Sequence, residues 1–193
     1  MKFKSWVSVI LCLGLSACMT VPKMPTDMVL PQEAALQAAS AAAGEQWYQA
    51  EWFWQGHSIA FLMMLRSNGD GSHTLVATTL TGQELFALQE QQQQFTVLQQ
   101  LPETKRIPLP YVYRDVVWAS ASAEAFARMQ QPEHQFQADA NHKTWNQGER
   151  TLWQASLQND QTWLIDNATA HYQMRLSPIT NDETDHNENE VQP

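Results

Sequence analysis

The sequence predicts a mainly β domain with helices (α+β): a curved antiparallel sheet forming a half-open barrel covered by short helices. Short apolar runs of strand length alternate with turn signals through residues 45–100 and again through 135–178. A Pro-bounded segment of helical texture separates the two stretches. Composition agrees: 44% apolar residues, 16% charged, 8 Trp, 7 Phe and 4 Tyr among 193 residues supply one sizeable core.

The elements follow in order. Gln46–Gln55 carries Trp47, Tyr48, Trp52, Phe53 and Trp54, and Ser58–Leu65 is an apolar run of strand length. Asn68-Gly69-Asp70-Gly71 is a turn before the strand Thr74–Leu80. Thr81-Gly82-Gln83 leads into Glu84–Gln89, and a Gln-rich connection leads into Gln94–Gln99. Pro102, Pro108 and Pro110 then break any helix, and Tyr111–Trp118 with Ser122–Met129 reads as two short helices or one broken helix between Pro110 and Pro132. Ser120 or Ser122 is a candidate cap. A short hairpin over Gln135–Asp139 and His142–Trp145 precedes Glu149–Leu157, which meets Trp163–Asp166 across Gln158-Asn159-Asp160-Gln161. Ala170–Leu176 is the final strand. A curved antiparallel sheet hides its edges by closing or by being covered, so the helices are expected across its mouth or concave face.

Residues 1–17 form an address rather than a fold. Lys2 and Lys4 are a positive start, and Trp6–Leu15 is an apolar run too short to span a bilayer. Leu15-Ser16-Ala17-Cys18 resembles the bacterial lipobox, which implies a lipoprotein signal peptide, cleavage before Cys18 and acylation of Cys18. Cys12 leaves with the signal, so no disulfide is expected. Met19 stands where an Asp would resemble the inner-membrane retention signal, so the expected address is the outer membrane, lipid-anchored on its periplasmic face. Residues 18–44 are then a lipidated tether containing Pro22, Pro25 and Pro31, with Gln32–Ala43 read either as a short helix or as flexible linker. The domain proper is 45–180, and 181–193 is an acidic tail expected to be disordered.

Charge narrows the partners. The formal net charge of −9 lacks the clustered Lys/Arg that nucleic acid requires, so no nucleic-acid partner is expected. Removing Lys2 and Lys4 gives −11, and removing the five acids of the tail leaves −6 on residues 18–180. Among the cations, Arg66, Arg114, Arg128 and Arg150 are candidates to hold an anionic head group at a cavity mouth, against the commoner role of surface ion pairing. The six His show no helical metal spacing, and no metal or cofactor is expected. No Gly-x-Ser-x-Gly elbow or phosphate loop is present, so no enzyme is predicted, although Asp115 with His134 or Asp166 with His171 are candidate base pairs in space.

The turn-plus-strand phrase Leu80–Leu88, the Pro-bounded helical pair containing Asp115 and Trp118, and the strands around Arg150–Trp153 and Trp163–Asp166 resemble a further pattern. With Cys18, they are similar to an uncharacterised family of bacterial lipoproteins related to the LolA/LolB outer-membrane lipoprotein carriers. The resemblance implies an 11-strand-type half-open barrel with a helical lid over an apolar cavity. It also implies that the protein binds or carries an acylated molecule, lipid or lipoprotein, with a periplasmic carrier protein as a further partner. In LolB an exposed apolar loop enters the membrane, and no equivalent loop is assigned from these residues.

The expected cavity lining is Trp52, Trp54, Phe61, Met63, Leu75, Phe86, Trp118 and Trp153, with Met63 and Met64 suited to varied ligand shapes. The same residues also suit an ordinary sheet core, and alternation allows only some of them to face inward. The alternative function is a non-catalytic scaffold for an envelope biosynthesis or export complex; a periplasmic hydrolase is the third reading.

Overall fold

The computed structural model describes residues 44–68 and 70–179. The tether, Cys18, the proposed first helix and the acidic tail lie outside the described residues.

All the expected strands form. They are β1 (Glu45–Trp54), β2 (His57–Ser67), β3 (Ser72–Thr78), β4 (Glu84–Gln91), β5 (Gln94–Gln100), β6 (His134–Ala138), β7 (His142–Gln147), β8 (Arg150–Leu157), β9 (Trp163–Asn167) and β10 (Tyr172–Pro178). They make one antiparallel ten-stranded sheet in the order β5-β4-β3-β2-β1-β10-β9-β8-β7-β6. The resemblance implied eleven strands; the described residues supply ten. Turn chemistry fixes much of the register. Gln55 and Gly56, both at positive φ, make a two-residue turn that sets Trp54 opposite His57. Gln92 and Gln93 do the same without glycine, and the Glu90 carboxylate accepts the Gln93 N–H at 2.7 Å, offsetting part of the strain.

The sheet is open. β1 and β10, the first and last strands, pair at its centre, and β5 and β6 are its free edges. Two meanders therefore flank a central seam, and the chain has to cross from one free edge to the other. That crossing contains a 3-10 turn (Pro102–Thr104), helix α1 (Leu109–Ser120) and helix α2 (Ala123–Ala127). α1 packs against β4 on one wing and β9 on the other, so the sheet curves around it, while α2 packs on β6. The helices thus cover the concave face as the sequence predicts.

One local expectation changes and one is resolved. Pro110 does not stop α1 but lies within its first turn, where a missing N–H and a fixed φ are tolerated. Ser122, not Ser120, is the cap: its hydroxyl accepts the Ala125 N–H at 3.1 Å. Ser120 instead shares a 2.6 Å hydrogen bond with Tyr48.

Candidate functional site

Register settles which strand faces turn inward. Trp52 of β1, Phe61 and Met63 of β2, Leu75 of β3, Phe86 of β4 and Trp153 of β8 all point into the concavity and are buried. Trp54 lies half-buried at the rim, stacked on Trp52 at 6.0 Å. Trp47 has the opposite parity and is 40% exposed on the outer face. Met64 likewise alternates away from Met63.

Trp118 comes from the helix rather than the wall. Its ring meets Trp153 at 5.1 Å, Trp145 at 5.4 Å, Phe126 at 5.6 Å and Phe136 at 5.7 Å, all edge-on. The predicted lining residues therefore belong to one apolar cluster, and the side chains of α1 fill the space between them. The filling is imperfect in one respect. The indole N–H groups of Trp52, Trp145 and Trp153 are buried without an acceptor among the described residues. A buried indole ordinarily finds a partner, so each carries a desolvation cost.

α1 is held by polar groups set into this apolar bed. The guanidinium of Arg114 donates from Nε and Nη2 to Oδ1 of Asp115, at 3.1 and 2.9 Å. Oδ2 of Asp115 accepts from Asn167 Nδ2 at 2.8 Å and from the Tyr172 hydroxyl at 2.5 Å. Burial raises the Asp115 carboxyl above its ordinary range, opposed by Arg114, Tyr172 and Asn167. Burial and the Asp115 charge push the Tyr172 phenol well up, so it stays a donor. Arg114 also lies over the rings of Trp118 and Tyr111, at 4.4 and 4.8 Å.

Toward the other wing, the Tyr113 hydroxyl donates to Glu90 Oε2 at 3.3 Å. Buried His73 places Nδ1 3.4 Å from the same oxygen, too poorly aligned for a hydrogen bond. Burial would raise the Glu90 carboxyl, but His73, the Gln93 N–H and Tyr113 together hold it below its usual range.

At the helix end, Lys143 of β7 donates to the carbonyls of Trp118, Ala119 and Ala121 at 2.9, 2.6 and 2.5 Å. These are the C-terminal acceptors that a helix leaves unsatisfied. Burial pushes the Lys143 ammonium down to about 8.

The remaining sequence candidates separate. Arg66 pairs with Glu45 at 3.7 Å and Arg128 with Glu124, both on the surface, and Arg150 is exposed. Only Arg114 of that set lies inside. Asp115 is not joined to His134, whose ring stacks on Trp145 at 5.1 Å, and no ion pair or hydrogen bond joins Asp166 to His171 among the described residues. No group of His, Cys, Asp or Glu suited to a metal occurs among the described residues.

Sequence reasoning missed Lys143, Glu90, Asn167 and Tyr172, which hold the helix. It also missed a depression of about 520 Å³ on the outer face of the sheet, away from the helices. Leu80 is 65% exposed at the β3–β4 turn. That end of the sheet also carries rim residue Trp54, with Arg106 over its ring at 5.9 Å, and the partly exposed Ile59.

Fold and site together define a class: an open antiparallel half-barrel whose apolar concave face is closed by a helix held through buried polar contacts. The chain belongs to the family described as protein of unknown function (DUF3261), whose model matches residues 45–180. Among solved structures it is similar to the LolA superfamily protein NE2245 from Nitrosomonas europaea, at 9% identity and a TM-score of 0.41, covering 79% of this chain and 93% of that one. No curated protein matches the chain.

Proposed function

We propose that this protein binds or carries an acylated molecule, a lipid or a lipoprotein, on the concave face of the half-barrel. In this reading it is anchored through Cys18 to the outer membrane and faces the periplasm. The observation that carries the proposal is the set of unsatisfied indole donors of Trp52, Trp145 and Trp153, inside an apolar bed closed by a helix that side-chain hydrogen bonds hold down. An acyl chain gains about 0.8 kcal/mol per CH₂ on leaving water, and its ester or amide carbonyl would supply the acceptor these indoles lack. Entry requires α1 to lift, which breaks contacts worth about 1 kcal/mol each, more where a charge takes part. Leu80 and Ile59, at the end of the sheet where Arg106 lies over Trp54, suit a face that meets a lipid surface. The same chemistry fits delivery of the acylated molecule by a periplasmic carrier protein.

The test is acyl binding by protein lacking residues 1–18, with mass spectrometry of lipid that co-purifies and titration of a fluorescent fatty acid. Bound acyl species are expected, and Trp118→Ala, which empties the centre of the bed, should tighten fatty-acid binding. Reproducible absence of acyl species from both proteins, with no fatty-acid binding, refutes the proposal. The second reading, a non-catalytic envelope scaffold, is favoured by the concavity being filled by its own side chains. It predicts co-purification with envelope proteins and no acyl binding even in Trp118→Ala.

A further inference from the structure

The outer depression has a regular construction that the concave face does not explain. Strand register lays two cross-strand rows beside each other on the face away from the helices. The first runs Phe53, Gln173, Asp166, Gln154 across β1, β10, β9 and β8. The second runs Arg175, Leu164, Ser156, His142 across β10, β9, β8 and β7. All eight line the depression of about 520 Å³. The rows together touch five neighbouring strands, about 19 Å from first to last at the usual strand spacing.

The first row is chemically idle within the protein. The side-chain amides of Gln154 and Gln173 and the carboxylate of Asp166 make no hydrogen bond among the described residues, although they are cross-strand neighbours. Each Gln offers donors and an acceptor, and Asp166 offers acceptors only. Phe53 and the partly exposed Leu164 add apolar surface at intervals. The ionised groups are Asp166 and Arg175, and Arg175 is already 3.5 Å from Glu51. That balance rejects an anion, and the polar amides reject a purely apolar ligand. It suits a neutral chain that presents hydroxyls as both donors and acceptors together with C–H faces.

We infer that this groove is a binding site for a neutral oligosaccharide, lying across the strands of the outer face. The ligand's hydroxyls bond Gln154, Asp166, Gln173 and Ser156, and its apolar faces rest on Phe53 and Leu164. The site is separate from the concave face and does not depend on what that face carries. Because it stands on paired strands, it is preformed and needs no movement of α1.

The test is saturation-transfer NMR on the full chain in a zwitterionic detergent, using cellotetraose, maltotetraose and the β-1,4-linked N-acetylglucosamine tetramer at millimolar concentration. Saturation transfer to at least one of the three is expected. The double substitution Gln154→Ala with Gln173→Ala should weaken it about tenfold or more, with the thermal midpoint unchanged, because neither amide bonds to the protein. Ser156→Trp, which fills the groove, should abolish it. No transfer to any of the three sugars overturns the inference. So does transfer that survives both variants, which would place the binding elsewhere.

Discussion

Replacing Lys143 by Met sets two opposed effects against each other, and their pH dependence separates them. The ammonium satisfies the carbonyls of Trp118, Ala119 and Ala121. Leaving buried carbonyls without donors costs about 1–3 kcal/mol each. Against this, burial lowers the ammonium from 10.5 to about 8. At about 1.4 kcal/mol per unit, that is a penalty of about 3 kcal/mol for holding the charge at neutral pH, which the Met variant escapes. The orphaned carbonyls win, and Lys143→Met is destabilised at pH 7.

The sign of the pH effect follows from which state binds the proton. The folded value lies below the free one, so the unfolded chain binds more protons between about 8 and 10.5. Lys143 therefore makes the native protein more stable as pH rises through that window, by about 2 kcal/mol between pH 7 and pH 9.5. Above about pH 10 the buried phenols of Tyr48, Tyr113 and Tyr172, whose values are raised, act in the opposite sense, so the measurement stops below that. Urea unfolding at constant m-value, run on both proteins, reads the difference. The stability gap between wild type and Lys143→Met should widen by about 2 kcal/mol over the window. A gap that stays constant or narrows refutes the lowering of the Lys143 ammonium by burial, because a charge favoured by the carbonyls would lose its advantage as pH rises.

Three further outcomes follow from the same geometry. Tyr172→Phe removes the hydroxyl that donates to Asp115 and should cost about 1.5–3 kcal/mol in urea unfolding, as expected for a bond to a charged group; a loss under about half a kcal/mol would mean the carboxyl is satisfied without it. Trp118→Ala should lower stability by about 3–5 kcal/mol while leaving the strand signal in far-UV circular dichroism intact. Leu80→Glu should leave the thermal midpoint nearly unchanged and reduce co-sedimentation with phospholipid vesicles, because this largely exposed side chain contributes apolar surface but little packing.

Much of the architecture was legible because it rests on local signals. Strand runs, glycine turns and the Pro-bounded insert are written in neighbouring residues, and the strand bounds moved by only a few positions. Alternation alone already separates Trp47 from Trp52 and Trp54. Which parity faces inward was not legible, because it depends on β1 pairing with β10, strands from opposite ends of the domain. The grip on α1 was hidden for the same reason. Asp115 meets Asn167 and Tyr172 across 52 and 57 positions. Lys143 gave no signal in a strand of polar texture, since its acceptors are main-chain carbonyls of a distant helix. The outer groove escaped notice because cross-strand rows exist only once the register is known.

The pairing of β1 with β10 has one more consequence. Glu45 opens β1 and Pro178, the last residue of β10, lies opposite Tyr48, so the flanking segments depart from the same pole. Trp54, at the far end of β1, sits about 30 Å away along the strand. If Cys18 is fixed in a bilayer, as proposed, bringing the Leu80 pole down to that bilayer means inverting the whole body on its leash. Residues 19–43 reach at most about 85 Å when fully drawn out, so the length of the leash sets whether the body can turn over. Shortening that stretch would then uncouple attachment from contact while leaving every strand in place.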